Sequence, residues 1–155
     1  MKPITSSTLN RLSESATLAM ARMARELRAE GHDVIALSLG EPDFNTPDFI
    51  KDAAKQALDD NHTHYPPVSG YTDLREAISV KFKRDNGLDY TPNQIVASTG
   101  AKQTIANVVM ALVSPGDEVL LPAPFWVSYS EIVKLAGGTP VIISTDIDAN
   151  FKVSP

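Results

Sequence analysis

The second half of the chain alternates short apolar runs with segments of helical periodicity, and this alternation restricts its fold more than any other feature. The apolar runs are continuous, which is typical of parallel strands covered on both faces. Such strands are joined by right-handed helical crossovers. We therefore predict an α/β fold with a mostly parallel sheet and helices on both faces, built from strands 95–99, 118–121 and 140–145 and helices 102–112 and 126–136.

The first half of the chain carries three helix signals and one strand signal. Ser15 can cap a helix over 17–30. A proline at the first helical position predicts a second helix over 47–59. A third amphipathic helix is predicted over 73–84, whereas the apolar run 34–39 is typical of a short strand.

Charge and cysteine counts exclude several classes of protein. The 155 residues include 14 basic and 19 acidic side chains, and this net charge of −5 argues against a protein that tracks a nucleic-acid backbone. Because cysteine is absent, disulfide scaffolds, thiolate zinc sites and cysteine nucleophiles are excluded. No apolar run approaches the roughly 20 residues that cross a bilayer, and residues 1–15 lack the apolar core of a secretory signal. We expect a soluble, cytoplasmic protein with no nucleic-acid or membrane partner.

The turn at residues 98–103 is the first candidate site, because ligands bind beyond the carboxyl ends of parallel strands. Gly100 and Ala101 add little bulk, and the first amides of the following helix lie at its positive end. The turn can therefore bind a phosphate, although small residues also suit any tight strand-to-helix connection. The glycine spacings of P-loops and dinucleotide-binding turns are absent, which weakens the alternative of a Rossmann oxidoreductase.

Two further loops follow predicted strands. Trp126, the only tryptophan, can stack on a flat ligand there or simply anchor the core. Gly40 leaves its amide open to a ligand such as a carboxylate. Glu41 and Asp43, which follow it, are interpreted as turn carboxylates rather than as an acid–base pair.

Residues 61–70 form an irregular loop that two prolines stiffen. His62 and His64 have the spacing of two metal ligands, but no third ligand is suggested nearby, so we predict no metal site. Tyr65 is a better candidate, since a hydroxyl on a stiff loop can be aimed at a ligand, or only at water.

Together these motifs resemble the fold-type I, pyridoxal-phosphate-dependent aminotransferases, and among them the bacterial aspartate aminotransferase subgroup. Each motif alone is weak, but their order and spacing match along essentially the whole chain. The matching segments are 38–47, 65–67 with Gly70, 74–78, 100–103, 115–119 and 124–129.

The resemblance implies roles at the predicted phosphate turn and at the tryptophan. Gly100, Ala101 and Lys102 are similar to the turn that holds the cofactor phosphate through backbone amides. Trp126 is similar to the aromatic residue that stacks on the pyridine ring and borders the substrate. Ala101 stands where many relatives have glycine, and Phe125 stands where tyrosine is common; neither change removes the implied contacts.

The resemblance also implies a substrate contact and a partner. Gly40 is similar to the glycine whose amide meets the substrate α-carboxylate. Tyr65 is similar to the tyrosine that crosses a homodimer interface to the neighbouring subunit's cofactor phosphate. The implied reaction is transamination between an amino acid, aspartate being the best candidate, and a 2-oxo acid such as 2-oxoglutarate. Aromatic or prephenate-type acceptors stay open.

The resemblance further implies that residues 1–40 form an N-terminal arm with a small-domain helix and strand. Residues 41–155 would then begin the three-layer large cofactor domain. The family's Schiff-base lysine, pyridine aspartate and carboxylate arginine lie further along, so no residue here is assigned a catalytic role. We expect the chain alone to be inactive and to expose apolar surface. The competing class is a small α/β module that binds a phosphate ligand or a partner without catalysis.

Overall fold

A computed structural model of the chain describes residues 4–154; the first three residues and Pro155 lie outside the described part. Its helices and strands are α1 (Ala16–Ala29), α2 (Asp48–Asp59), α3 (Thr72–Asn86), α4 (Ala101–Leu112), β1 (Glu118–Ala123), α5 (Ser128–Ala136) and β2 (Thr139–Ser144). Short 3₁₀ turns cover Leu9–Arg11 and Pro92–Gln94.

The chain divides into two compact units. The first contains the residues up to Gly40 and those from Gly100 onward, and the second contains Glu41–Thr99. The divisions fall after residue 40 and after residue 99. The assignment of 1–40 and 41–155 to the two domains of the family stays a prediction.

A parallel two-stranded sheet forms the centre of the first unit. β1 pairs with β2 in register, from Glu118 opposite Thr139 to Ala123 opposite Ser144. α5 connects the two strands, and its Val133 side chain is only 1% exposed. Continuous apolar runs therefore form parallel strands joined by a helix, and the predicted α/β class is confirmed.

The predicted strands at 34–39 and 95–99 are wrong, because neither segment is a strand in the described part of the chain. A strand is defined by its hydrogen bonds to a neighbour, and within residues 4–154 only β1 and β2 pair. Ile95 is nevertheless buried, as its apolar run indicates. The apolar runs have the local preference of a strand, but a strand also needs a hydrogen-bonded neighbour, which the local sequence does not specify.

β1 is longer than the predicted 118–121, since it continues through Pro122 to Ala123. Pro122 lies opposite Ile143 in the ladder. A strand with one neighbour uses only alternate N–H groups, so a proline is tolerated between them. The strand therefore ends at Ala123, directly before the loop that carries Trp126.

Helix boundaries follow the capping residues. The Ser15 hydroxyl accepts the Leu18 N–H at 3.5 Å, so it caps α1 as predicted, and the helix begins at Ala16, one residue before the predicted start. α2 begins just after Pro47, which occupies the N-cap position rather than the first helical one. Gly87 (φ 67°) and Gly137 (φ 97°) end α3 and α5 in the left-handed conformation that glycine adopts without strain.

The second unit contains α2, α3 and the 3₁₀ turn that follows α3. The Arg75 guanidinium donates to the Pro92 carbonyl at 3.0 Å and so ties this turn to α3. The Ala97 N–H donates to the Ser69 carbonyl at 3.0 Å. A Cβ added to Gly70 would lie 2.8 Å from the Ala97 Cβ, so this close approach requires glycine.

Within residues 4–154, the buried hydrophobic residues are Ala24, Ile95, Ile132 and Val133. Many large apolar side chains face solvent instead, including Leu37 (91% exposed) and Phe44 (85% exposed). The expected exposure of apolar surface is thus confirmed for the described residues. None of the helices in this part of the chain is long and apolar enough to span a membrane.

Candidate functional site

The start of α4 forms an open turn in the first unit. Gly100 is the N-cap residue and has φ 81° and ψ 160°, a backbone conformation that is essentially restricted to glycine. A Cβ built on Gly100 meets nothing within 4 Å, so the space beside the turn is open. The Gly100 carbonyl accepts the Gln103 and Thr104 N–H groups at 3.1 and 3.3 Å.

The amides of Ala101 and Lys102 belong to the first turn of α4, where the helix itself supplies no acceptor. Gly100, as the cap residue, has no side chain that could accept from them. Two N–H groups at the positive end of a helix dipole therefore border an open space, which is an arrangement that favours an anion.

Trp126 lies in the loop between β1 and α5 and is 41% exposed. The Lys102 ammonium lies 5.8 Å from the centroid of the indole ring, within cation–π distance. The structure thus brings together the two candidates that the sequence placed after successive strands. Trp126 is not part of α5, which begins at Ser128 rather than at the predicted 126.

The loop around Trp126 is held at both ends. The Trp126 carbonyl accepts the N–H of Tyr129, which lies in the first turn of α5, at 3.0 Å. Before it, the Ala123–Pro124 peptide is cis, and the Thr145 hydroxyl donates to the Ala123 carbonyl. The two hydrogen bonds hold the backbone before and after Trp126.

A groove of about 510 Å³ adjoins these residues. Lys102 of α4, Phe125 of the loop after β1 and several residues of α5 line it. The segment 12–16 also lines the groove, although the sequence did not single this segment out. The lining residues are Leu12, Ser13, Glu14, Ser15, Ala16, Lys102, Phe125, Val127, Ser128, Ser130, Glu131, Ile132 and Leu135. The capping role of Ser15 was the only local signal in that segment.

Glu131 is the acidic residue of this groove with a shifted pKa. Partial burial raises its pKa, but hydrogen bonds from the Lys134 ammonium (2.7 Å) and the Ser13 N–H (2.8 Å) act in the opposite direction. The net result is a pKa below the ordinary value. Glu131 is therefore ionised at neutral pH.

Gly40 and Tyr65 are the predicted site residues that lie elsewhere. Gly40 is the last residue of the first unit before the break at residue 41, and a Cβ built on it meets nothing within 4 Å. Tyr65 belongs to the second unit, and its side chain is fully exposed. Their predicted roles as substrate and cofactor contacts stay predictions.

His62, in the same loop as Tyr65, makes an aromatic contact. The His62 ring packs edge-on against Tyr71, with centroids 5.7 Å apart. No group of three or more histidine, aspartate or glutamate side chains with the geometry of a metal site occurs within residues 4–154.

The residues of the first unit fit a flat ligand that carries a phosphate. The α4 amides suit the phosphate oxygens, and the Lys102 ammonium adds positive charge. The half-exposed indole offers a face for stacking. The open space beside Gly100 would be filled by any larger side chain.

Comparison with known proteins gives a consistent match. The family described as aminotransferase class I and II matches residues 32–154. The aspartate/prephenate aminotransferase of Cereibacter sphaeroides is 52% identical over 150 residues, which are 97% of this chain and 38% of that protein.

Solved structures extend the match to the fold. The aspartate aminotransferase from Rhizobium meliloti superposes with a TM-score of 0.92 at 41% identity, over 97% of this chain and 38% of that one. The aspartate aminotransferase from Thermus thermophilus with maleate gives a TM-score of 0.91 at 42% identity, over 99% and 40%. This chain therefore spans well under half the length of these relatives. Because sequence and fold agree along nearly all of it, the chain belongs to the aminotransferase class I and II family.

Proposed function

We propose that the protein containing this chain is a pyridoxal-5′-phosphate-dependent aminotransferase, which exchanges the amino group of an amino acid for the oxo group of a 2-oxo acid. Membership of the family supports the reaction class. The observation that carries the proposal is the Lys102 ammonium lying over the Trp126 indole, because it sets an anion-binding helix start beside a stacking surface.

In this proposal Gly100, Ala101 and Lys102 hold the cofactor phosphate. The backbone N–H groups of Ala101 and Lys102 donate to phosphate oxygens, and the positive end of α4 adds a favourable field. Gly100 contributes its special conformation and its lack of a side chain, which keep the space open. Ala101 serves as well as the glycine of many relatives, because the contact comes from its backbone.

Trp126 orients the cofactor ring by stacking on it. When bound, pyridoxal phosphate supplies an electron sink that stabilises negative charge at the substrate Cα. The indole keeps the ring in one plane and excludes water from one of its faces. Phe125 lacks the hydroxyl that is common at its position, but it continues the apolar wall of the groove.

Gly40 and Tyr65 complete the proposed set. The Gly40 amide would donate to the α-carboxylate of the substrate. Tyr65 would reach the cofactor phosphate of a neighbouring subunit in a homodimer, and its full exposure leaves the side chain available for that contact. The homodimer and the cytoplasmic location rest on the family resemblance.

We propose aspartate as the amino donor and 2-oxoglutarate as an acceptor. Two related proteins carry aspartate in their names, and one was solved with maleate, a four-carbon dicarboxylate like aspartate. The Lys102 ammonium supplies positive charge next to the proposed site. Prephenate is the second candidate acceptor, because the relative from Cereibacter sphaeroides is an aspartate/prephenate aminotransferase.

None of the described residues is assigned the covalent or proton-transfer chemistry. The chain anchors the phosphate, stacks on the ring and borders the substrate. We therefore propose that residues 1–155 alone do not transaminate.

The test uses the full-length protein. Addition of pyridoxal phosphate should produce a protein-bound absorbance band, and aspartate with 2-oxoglutarate should give glutamate and oxaloacetate. Replacing 2-oxoglutarate with prephenate tests the second acceptor. A full-length protein that binds pyridoxal phosphate without transferring the amino group of aspartate to either acceptor would overturn the proposed reaction. Turnover by residues 1–155 above that of free cofactor would overturn the proposal that this chain does not transaminate alone.

A further inference from the structure

The Glu131 side chain joins two parts of the first unit that are 118 residues apart in sequence. One carboxylate oxygen accepts the Ser13 backbone N–H at 2.8 Å. The other oxygen accepts from the Lys134 ammonium on the same helix at 2.7 Å. The carboxylate thus connects α5 to the segment that precedes α1.

Ser13 lies where regular structure offers its N–H no acceptor. The 3₁₀ turn ends at Leu12, whose own N–H is bonded to Leu9, and α1 is capped only from Ser15 onward. Between these two elements, the contact with Glu131 is what satisfies the Ser13 donor. Because Ser13 is an exposed residue, water can replace Glu131 as the acceptor, so the contact matters for the position of the segment rather than for a buried amide.

Several observations indicate that this contact persists. The Glu131 and Lys134 side chains are 25% and 32% exposed, so water competes less than at a typical surface pair. Hydrogen bonds to an ionised carboxylate are also shorter and stronger than neutral ones. The 3₁₀ turn before Ser13 packs against α5 as well, which adds a second point of attachment.

The segment held in this way forms a wall of the groove. Residues 12–16 line it together with residues of α5, Lys102 and Phe125. A displacement of the segment would therefore change the shape of the space beside the proposed cofactor site.

We propose that Glu131 is a positioning residue, whose carboxylate fixes the 12–16 segment and so sets the affinity for the amino-acid substrate. The effect on substrate rests on the function proposed above, whereas the contact itself does not. The competing explanation is a purely structural ion pair within α5, between Glu131 and Lys134.

Three variants of the full-length protein separate these explanations. Glu131→Ala removes both contacts. Glu131→Gln keeps a carbonyl oxygen for Ser13 and the shape of the side chain, but it removes the charge. Lys134→Met is the matched control, because it removes the ion pair and leaves the bond to Ser13.

The first measurement is hydrogen exchange of a peptide covering residues 10–16, followed by mass spectrometry without substrate. We expect Glu131→Ala to speed exchange of the Ser13 amide about tenfold or more, Glu131→Gln to have a smaller effect and Lys134→Met to have almost none. Equal exchange in wild type and Glu131→Ala would overturn the proposal. So would equal acceleration by Lys134→Met.

The second measurement is steady-state kinetics with aspartate. The expected pattern is a several-fold rise in KM with Glu131→Ala at nearly unchanged kcat, because uniform binding is lost, with a smaller rise for Glu131→Gln and almost none for Lys134→Met. A fall in kcat with unchanged KM would overturn the positioning role. If wild type shows no transamination, the proposed function fails, but the exchange measurement still decides whether Glu131 holds the segment.

Discussion

The Lys102 ammonium lies 5.8 Å from the centroid of the Trp126 indole ring. Lys102 lies in the first turn of α4 and Trp126 in the loop between β1 and α5, yet both belong to the unit that contains the parallel sheet. Their proximity places the open amides of α4 next to an aromatic surface. Each of these features can be removed separately.

Ala101→Pro tests the phosphate contact at the backbone. Proline is tolerated at the first position of a helix, and it deletes one N–H donor without removing the turn. In the full-length protein we expect the Kd for pyridoxal phosphate to rise about tenfold or more, because a hydrogen bond to a charged group is lost. Lys102→Met is the control for charge alone, since it keeps its amide, and we expect a smaller rise. Unchanged affinity in Ala101→Pro, by absorbance titration, would remove the amide from the site.

Trp126→Ala tests the stacking surface. An aromatic pair contributes about 0.5–1.5 kcal/mol beyond the area it buries, so the affinity for pyridoxal phosphate should fall about tenfold. Trp126→Phe keeps a smaller ring, and we expect it to lose less than Trp126→Ala. Phe125→Tyr serves as a neighbouring control and should leave the affinity within about twofold. The ranking is measured by titration; equal affinity of the alanine and phenylalanine variants would contradict stacking.

Gly138→Ala tests the packing of the turn between α5 and β2 against the residues that connect α4 to β1. A Cβ at Gly138 would lie 2.5 Å from Val113 Cγ1 and 3.3 Å from the Asp117 carbonyl oxygen, and the backbone contact has little room to move. We expect a destabilisation of about 1–3 kcal/mol, seen as a lower denaturation midpoint. Gly40→Ala adds the same methyl group in open space and should leave the midpoint nearly unchanged. Equal midpoints for both variants would contradict the packing described for Gly138.

The Glu131 carboxylate gives stability a defined pH dependence. Its pKa is lowered, despite burial, by the hydrogen bonds from Lys134 and Ser13. The stabilisation is therefore complete above the unfolded pKa of about 4.3 and is lost as pH falls through the lower folded value. Lys102 and Glu14 are the other charged residues that line the same groove as Glu131.

We expect the stability difference between wild type and Glu131→Gln to be constant near neutral pH, to shrink once pH falls to about 4.3, and to vanish only below the lowered pKa of the folded state. Lys134→Met removes a group that lowers the folded pKa, so in that variant the pH-dependent part of the stability should be smaller and its loss should be complete at a higher pH. Denaturation midpoints at a series of pH values measure both effects. A difference that stays constant down to pH 2 would show that the carboxylate is not held by these contacts.

Features decided by neighbouring residues were the ones that sequence predicted well. Ser15 caps α1, and Gly87 and Gly137 end α3 and α5. Gly100 and the small residue after it mark the start of α4. Each depends on the backbone preference of one residue or on a hydrogen bond within a single turn. The order of strand, helix and strand also predicts a parallel sheet without any information on contacts.

Features that join distant residues were missed. The apolar runs at 34–39 and 95–99 have strand character but no strand partner in the described part of the chain. The groove was missed because the 12–16 segment has no local signal for a site, and its contact with Glu131 spans 118 residues. Burial and hydrogen bonding between such segments are properties of the folded chain, not of either segment.

The exposed apolar side chains predict how residues 1–155 behave when produced alone. Leu37, Phe44 and Ile35 are each more than four-fifths exposed, and such surface normally lies within a larger core or interface. We expect the isolated chain to self-associate at micromolar concentration and to bind a hydrophobic dye strongly. The full-length protein should bind far less dye per mole and sediment as one species. Sedimentation velocity with dye fluorescence checks this, and a monodisperse, cooperatively melting monomer of residues 1–155 would show that these side chains need no covering partner.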